Sequence, residues 1–366
     1  MDDFKQQIID LWRVSFPEDT EEFIRLHFDR KYKEENTLVF RQEDTIVSVL
    51  QMIPYRMTFY DGEIDTSYVS GACTHPSLQS KGFMSHLLSD SFMEMYRRGV
   101  ALATLIPASE EVSGYYRKAG YTFAFDYSQE NHLISSLLGK NITTSKYAVG
   151  EWDSSCLDDI YLYFAEKERK RPFCIQHSEK EFSAVLEDLY NDNGTLFYIR
   201  NNFNRHICGL AFVMPSEDKV LIKELFYDGE GEKHLLLLKI AEKYNDAKEI
   251  ICAIPPCSGS YFHLGMARAV NVEYLLSLYA KAFPEKEFVL KITDPVISAN
   301  EGVYVIKGGA CKKMDDTLPE NAIEMSIDRF TQAILGYHTE EVPNEVPDEV
   351  VKFFPSSHPY MSLMMD

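Results

Sequence analysis

The sequence predicts a mixed α/β protein that is divided into more than one domain. Short apolar runs typical of buried strands alternate with longer segments whose apolar residues recur at helical spacing. This alternation runs through residues 1–127 and is found again, in a similar order, in residues 157–254. A chain of 366 residues suffices for two or three domains. The repeated order therefore indicates two related units, with further chain left over.

The first 60 residues predict two helices followed by strands. In order, we expect a helix at 4–16, a second helix that starts after Thr20, and strands at 37–41 and 45–60. Thr20 is suited to accept a hydrogen bond from the first turn of the second helix. Pro54 lies inside the second strand, and because proline cannot donate to a ladder, we expect a break or bulge there.

The first unit is organised around residues 68–121. The pattern is a strand at 68–73, a polar turn at 74–82, a helix at 83–96, a strand at 100–106 and a helix at 109–120. Lys81 and Gly82 precede the first of these helices, whose free N–H groups favour an anion such as a phosphate. The loop matches neither the dinucleotide fingerprint nor the P-loop. An ordinary helix start therefore stays open as the alternative interpretation.

The rest of the chain predicts the second unit and a small third domain. In order, we expect a strand at 122–127, helices at 157–168, 179–190 and 233–244, and strands at 195–200, 206–214, 220–226 and 249–254. Residues 258–285 are predicted to be helical. Strands at 288–295 and 301–306 and a helix within 325–337 are predicted to form the third domain. The tail at 358–366 is apolar for a terminus, so we expect it to be buried.

Charge and composition argue against several classes of partner. The formal net charge of −20 repels nucleic acid and anionic membranes and favours cationic molecules, although solubility alone also explains it. The sequence shows neither a secretory signal nor an apolar run of the roughly 20 residues that a membrane span needs. Seven cysteines without a C-x-x-C pair indicate reduced thiols and no zinc site. We therefore expect a cytoplasmic protein without a metal, a nucleic acid partner or a membrane partner; the oligomeric state stays open, with a homo-oligomer among the alternatives.

Two motifs within 68–121 resemble a known family. Residues 73–82 resemble the acetyl-CoA loop of the GNAT N-acetyltransferases, whose core is Q/R-x-x-G-x-G/A; Gln79 and Gly82 fit, and Met84 replaces the last small residue. Residues 115–121 resemble the YYRKxGF segment of the same family. The chain as a whole is similar to the Eis-like branch (enhanced intracellular survival type), in which a large apolar residue at the Met84 position is usual.

The resemblance implies a fold and a set of domain boundaries. The implied fold is two tandem GNAT-like acyl-CoA N-acyltransferase domains followed by a sterol-carrier-protein-2-like domain. We place a GNAT acetyltransferase domain at 1–148, a degenerate second GNAT-like domain at 149–285 and the sterol-carrier-like domain at 286–366. The second domain is not expected to bind acetyl-CoA, because its equivalent turn, 227–232, carries three carboxylates that would repel a pyrophosphate.

The resemblance also implies the site residues and acetyl-CoA as the co-substrate. Backbone N–H groups of 72–74 would hold the pantetheine and the developing oxyanion, and the loop 79–84 would hold the pyrophosphate. The implied cofactor-binding residues are Ala72, Cys73, Thr74, Gln79, Ser80, Lys81, Gly82, Phe83, Met84 and Ser109. Tyr116 is implied as the general acid, with a core packing role as the alternative. The C-terminal carboxylate of Asp366 is implied as the base, with a structural tail and water as base the alternative; whether its α-carboxylate or its side chain acts stays open.

We therefore expect an acetyl-CoA-dependent N-acetyltransferase that acts by direct attack in a ternary complex. The acceptor is expected to be an amine, whether a polyamine, an aminoglycoside-like sugar or a lysine side chain. A cysteine nucleophile at Cys73 is disfavoured because spacing places no His–Asp partner beside it. Two alternatives are a non-catalytic GNAT scaffold that binds an apolar ligand or acyl-CoA, and an acyltransferase for longer acyl chains.

Overall fold

The computed structural model describes residues 3–139, 145–153, 157–256, 261–314, 322–338 and 352–365. The fold is mixed α/β, as the sequence predicts. Its helices are α1 (Asp3–Ser15), α2 (Glu21–Arg30), α3 (Phe83–Arg97), α4 (Glu110–Lys118), α5 (Ile134–Leu138), α6 (Leu157–Arg169), α7 (Glu179–Asn191), α8 (Glu230–Lys243), α9 (Val272–Ala282) and α10 (Ile327–Ile334). As predicted, the Thr20 hydroxyl accepts from the Phe23 N–H and caps α2.

The strands form one large sheet and one small one. They are β1 (Thr37–Gln42), β2 (Thr45–Phe59), β3 (Gly62–Thr74), β4 (Leu102–Leu105), β5 (Thr122–Leu133), β6 (Tyr147–Glu151), β7 (Ile175–Gln176), β8 (Thr195–Asn201), β9 (Ile207–Pro215), β10 (Lys219–Tyr227), β11 (Glu249–Ile254), β12 (Phe262–Ala269), β13 (Phe288–Thr293), β14 (Gly302–Lys307), β15 (Ala310–Met314) and β16 (Ile323–Ser326). The predicted strands and helices of 157–254 all form, with ends that shift by up to three residues.

The large sheet joins the two predicted units edge to edge. Its order is β1-β2-β3-β4-β12-β5-β11-β10-β9-β8-β6, with β7 paired to β2. Strand β5 makes the junction, because its first half pairs with β12 and its second half pairs with β11. The predicted strand at 122–127 is therefore too short, since β5 continues to Leu133 to reach the second unit.

The prediction of a helix across 258–285 is wrong for its first half. Residues Phe262–Ala269 form β12, which lies between β4 and β5 in the middle of the sheet. The space beside Gly265 is tight, because a Cβ there would lie 2.6 Å from the Met361 sulfur. A short buried run of this kind cannot be assigned to strand or helix from periodicity alone. The second half of the predicted helix is α9.

The predicted break at Pro54 is also wrong. Strand β2 runs unbroken through Pro54, which pairs with Ser67 on β3. On its other side, β2 pairs with β1 only up to Gln51 and with β7 only from Arg56. The proline therefore lies where the described neighbours require no backbone donor.

The C-terminal part packs on the large sheet. It consists of a four-stranded sheet, ordered β15-β14-β13-β16, with α9 and α10. Tyr279 and Phe330 of its helices share an apolar cluster with Phe125 of β5. As predicted, the described part of the tail is buried: Tyr360, Met361 and Met365 are at most 4% exposed. No helix among the described residues is long and apolar enough to cross a membrane.

Candidate active site

The site begins at a gap between two parallel strands. β3 and β4 pair only from Thr66 to Tyr68, although β3 continues to Thr74. Beyond Tyr68 the described residues give β3 no strand partner on the β4 side. At the end of β3, the backbone groups that point to the β4 side and not to β2 therefore have no strand partner among the described residues, and they can bind a ligand that enters the gap.

A bulge in β3 shapes one wall of this gap. The register between β2 and β3 shifts between Val49 and Gln51, whose partners are Cys73 and Ser70. Gly71 lies between those partners and adopts a φ of +58°. A side chain at Gly71 would collide with Trp12, because its Cβ would lie 2.2 Å from the indole ring. The Ser48 hydroxyl donates to the Cys73 carbonyl at 3.0 Å and contacts the Thr74 hydroxyl at 2.8 Å. These contacts fix the predicted pantetheine-binding residues at the end of β3.

The Cys73 side chain is not suited to act as a nucleophile. It is buried in the cluster beneath α1, and burial raises the pKa of its thiol to about 12. The thiolate is the reactive form of cysteine, so a thiol with this pKa is almost entirely unreactive at neutral pH.

The loop before α3 carries the predicted anion site. After a turn at Pro76–Leu78, Ser80 and Gly82 adopt positive φ values of +62° and +85°. Gly82 is the N-cap residue of α3, and a Cβ placed on it would meet no atom within 4 Å. The free N–H groups of the first turn of α3 thus open onto unfilled space. Glycine suits the position because a left-handed residue without a Cβ lets a ligand approach the backbone closely.

The remaining loop residues divide between solvent and core. Gln79, Ser80 and Lys81 are exposed. Phe83 stacks on Phe40 with 4.5 Å between ring centroids, and Met84 packs on the apolar cluster under α3. The large apolar residue that replaces the last small one of the motif therefore anchors the helix start.

Tyr116 lies near the end of α4. Its side chain is 8% exposed and packs in the same cluster as Ala72 and Met84. Burial raises the pKa of its phenol to about 12, and the nearby Tyr115 and Cys73 add to the shift. The structure thus brings the predicted acid together with the end of β3 and the start of α3.

The neighbouring residues hold α4 in place. The Tyr115 hydroxyl lies 3.0 Å from the Ser85 hydroxyl on the first turn of α3, which ties the two helices together. Ser109 is the N-cap of α4 and accepts from the Val112 N–H at 3.3 Å. Ser109 therefore has a capping role in the described structure, and contact with a cofactor stays a prediction.

A cavity of about 270 Å³ lies on the other face of the sheet. On β12, Met266 faces α3 and α4, whereas Ala267 faces the cluster that contains Met361 of the tail. The cavity lies on the Met361 side and is lined at one end by Ile106, the residue after β4. The described lining comes from both units and the tail: Ile106, Tyr127, Val185, Asp188, Leu189, Phe212, Lys223, Ala253, Leu264 and residues 360–365.

Sequence reasoning missed this cavity. Tyr127, Asp188 and Lys223 carry no motif and come from three distant elements. The predicted base, Asp366, lies outside the described residues. Its neighbour Met365 is buried in the cluster that contains Phe182 and Tyr163 of the second unit.

In the second unit, the carboxylates of the equivalent turn, residues 227–232, contact neighbouring side chains. Asp228 pairs with Lys167 at 2.7 Å and accepts from the Tyr163 hydroxyl. Glu232 accepts a hydrogen bond from the Tyr147 hydroxyl. Because these carboxylates face the start of α8, the turn presents negative charge where a pyrophosphate would need positive charge.

Sequence comparison matches two segments of the chain to known domain families. Residues 1–124 match the acetyltransferase (GNAT) domain family, and residues 272–341 match the sterol carrier protein domain family. The second match starts at α9, ahead of the small sheet. Comparison with curated proteins gives no match.

Solved structures share the whole architecture at low sequence identity. A probable N-acyltransferase from Enterococcus faecalis is 14% identical, with a TM-score of 0.79 over 98% of this chain and 96% of that one. A GCN5-related N-acetyltransferase from Kribbella flavida is 14% identical, with a TM-score of 0.76 over 99% and 95%. Eis1 from Mycobacterium abscessus is 11% identical, with a TM-score of 0.74 over 98% and 96%. At these identities the likeness shows the fold.

The fold and the matched domain define the class: the chain is an acyltransferase with an N-terminal GNAT acetyltransferase domain. The order of the matched domains, GNAT first and sterol carrier protein second, agrees with the predicted architecture, and Eis1 from Mycobacterium abscessus shares the fold. The GNAT fold implies acetyl-CoA as the co-substrate.

Proposed function

We propose that this protein transfers an acetyl group from acetyl-CoA to an amine by direct attack in a ternary complex. The observation that carries the proposal is that β3 and β4 pair only from Thr66 to Tyr68: the unpaired end of β3 leads towards the α3 N-terminus, and Ile106, the residue after β4, lines the cavity. Through such a gap a thioester would meet Tyr116 on one side and an acceptor on the other.

The residues present fit an acyl-CoA. Gly82 leaves open space at the helix start for a pyrophosphate, and the free backbone groups at the end of β3 suit a pantetheine amide. The proposed binding residues are Ala72, Cys73 and Thr74 through their backbones, and the loop from Gln79 to Met84. Ser109 also belongs to the proposed set; in the described structure it caps α4.

The proposed reaction forms a nitrogen–carbon bond and breaks the carbon–sulfur bond of the thioester. Tyr116 donates its phenolic proton to the departing thiolate, and the proton that the nitrogen loses after attack restores the phenol. The acceptor, an ammonium ion in solution, gives its proton to the terminal carboxylate of Asp366, which we propose as the base. Direct attack is supported by the raised thiol pKa of Cys73, because an acyl-enzyme would need a thiolate there.

We also propose the division of the chain at 1–148, 149–285 and 286–366 as domains of function. The first would carry the chemistry, and the second would wall the acceptor cavity without binding a cofactor of its own. The acidic turn at Asp228 and Glu232 supports that assignment. The acceptor would be a small-molecule or peptide amine, and the net charge of −20 favours a cationic one.

The proposal is tested by calorimetry of acetyl-CoA binding together with thiol release against a panel of amines. Binding with acceptor-dependent thiol release is expected. If acetyl-CoA does not bind, the loop at Gly82 is only a helix start, and a non-catalytic scaffold becomes the better explanation.

Replacing Gly82 with alanine is expected to weaken acetyl-CoA binding at least about tenfold. The methyl group would occupy the space open to the phosphate, and a left-handed residue with a Cβ is strained by roughly 1 kcal/mol. Gly99→Ala is the matched control, because Gly99 has a φ of +76°, equally open surroundings and a place at the far end of the same helix. Equal losses of binding in the two variants would attribute the effect to strain alone.

Adding one glycine after Asp366 is expected to lower kcat by at least about tenfold, because the terminal carboxylate would move away from the acceptor nitrogen. Acetyl-CoA binding should not change, since the loop before α3 is untouched. Asp366→Asn, which keeps the α-carboxylate, should remain active if that group is the base. A fully active extended enzyme would remove the terminus from the mechanism.

A further inference from the structure

The described lining of the cavity beside Ile106 carries almost no net charge, in contrast to the chain as a whole. Most of its described lining is apolar or aromatic, and much of that lining is as buried as a protein core: Leu189, Phe212 and Met361 are at most 3% exposed. Asp188 is the one carboxylate and Lys223 the one ammonium among the described lining residues. Their charges are opposite, so the described wall has no excess of negative charge to offer a polycation.

Burial and Lys223 act on Asp188 in opposite directions. Burial raises the pKa of the Asp188 carboxyl, and Lys223 partly counteracts that shift. The nearby Asp192 adds to the upward pKa shift. The Asp188 carboxylate is therefore partly desolvated, and its charge is opposed by Lys223, before any ligand enters. A second ammonium group on an acceptor would lose its water in the cavity and find little compensating charge there.

The tail gives the cavity an adaptable apolar wall. Met361, Met364 and Met365 line it together with Leu363. Methionine side chains are flexible and polarisable, so they adjust to apolar ligands of different shape. Tyr127 and Tyr360 add aromatic surface that suits a flat ring.

We propose that the acceptor is a monoamine on an apolar body, such as an arylalkylamine or alkylamine, and that polyamines and aminoglycoside-like sugars are poor substrates. This inference rests on the proposed function of the same site. The single reacting amine would be served by the base, and the apolar body would fill the cavity. The negative surface would then only attract the cationic amine towards the protein.

A matched pair of acceptors tests the inference: n-hexylamine and 1,6-diaminohexane differ only in a second amine. We expect kcat/KM for n-hexylamine to exceed that for 1,6-diaminohexane by at least about tenfold, and 2-phenylethylamine to exceed spermidine similarly. Equal or higher values for the diamine and for spermidine would overturn the inference.

Two variants attribute the preference to the cavity. Lys223→Gln removes the ammonium that opposes Asp188, so the ratio between the monoamine and the diamine should fall at least about threefold. Lys248→Gln makes the same change in net charge at an exposed pair with Asp218, outside the lining, and should leave the ratio unchanged. Since Lys223 is exposed on β10, its replacement should leave folding intact. Equal ratios in wild type and Lys223→Gln would contradict the role of the cavity charge.

The remaining outcomes separate this inference from the proposed function. If acetyl-CoA binds and only polyamines release thiol, the inference fails and the acetyltransferase stands. If octanoyl-CoA is preferred over acetyl-CoA with a small amine, the cavity holds the acyl chain and the inference also fails. Absent acetyl-CoA binding together with no thiol release from any amine would overturn both.

Discussion

Replacing Tyr116 with phenylalanine is expected to lower kcat by about 100-fold while acetyl-CoA binding stays nearly unchanged. The substitution removes only the hydroxyl, and the ring keeps its packing against Tyr121 at 5.6 Å between centroids. Without that hydroxyl the departing thiolate must take its proton from water. Steady-state kinetics with calorimetry of acetyl-CoA binding separates the two effects.

The alkaline side of the pH profile provides a second measurement on the same residue. Burial raises the pKa of Tyr116 to about 12, so the folded state holds this proton more tightly than a free phenol does. A general acid must be protonated, and Tyr116 stays so past pH 10. We therefore expect kcat in the wild type to show no loss centred on pH 10, the ordinary value for tyrosine. The same shift favours folding below pH 10 and loses that contribution as the pH rises towards 12.

Tyr115→Phe is the matched control for the kinetic prediction. Tyr115 neighbours Tyr116 on α4, but its hydroxyl is engaged with Ser85 and ties α4 to α3. Loss of the Tyr115 hydroxyl should change kcat far less than loss of the Tyr116 hydroxyl. Unchanged turnover in Tyr116→Phe, or an equal loss in both variants, would remove Tyr116 from the role of acid.

Local sequence signals predicted the parts of the site that are local in structure. The helices that begin after Gly82 and Ser109 form where the spacing places them, in segments that are neighbours in sequence. Spacing, capping preference and glycine chemistry act over a few residues, so they can be recognised without the fold. The family resemblance then supplied the roles that spacing alone left open.

What could not be predicted depends on contacts between distant segments. Strand β12 enters the large sheet from residues 262–269, where Gly265 fits against Met361 of the tail. No local sequence pattern predicts that fit, because Met361, the residue that leaves no room for a side chain at Gly265, lies almost one hundred residues further along the chain. The cavity could not be predicted for the same reason, because Ile106, Asp188 and Lys223 become neighbours only after the units join.

A buried ion pair fixes this junction. Arg268 on β12 and Asp294, just after β13, are both fully buried, with 2.6 Å between guanidinium and carboxylate. The Arg268 guanidinium also donates to the carbonyl of Ala119, the C-cap residue of α4. Asp294 in turn accepts from the backbone N–H groups of Val296 and Ile297. The pair therefore connects the sheet, the helix that carries Tyr116 and the C-terminal domain.

Asp294→Asn is expected to lower the free energy of unfolding by about 3–5 kcal/mol, measured by chemical denaturation. The change leaves the Arg268 charge buried without its counter-charge, and breaking a buried pair from one side costs about this much. Removing both charges, in Arg268→Met with Asp294→Asn, should recover part of the loss, because no charge then remains unpaired. Asp218→Asn, at the exposed pair with Lys248, should leave stability nearly unchanged.

The same variants show whether the junction matters to the site as well as to the fold. Since Arg268 holds the end of α4 through Ala119, the loss of its partner should displace Tyr116 relative to the gap between β3 and β4. We therefore expect kcat of Asp294→Asn to fall even at temperatures where the protein remains folded. A loss of stability below about 1 kcal/mol would mean that other buried groups reorganise to pair with Arg268. Full activity in a destabilised variant would instead mean that packing around Tyr116, in the cluster it shares with Leu87 and Tyr121, holds α4 in place without the ion pair.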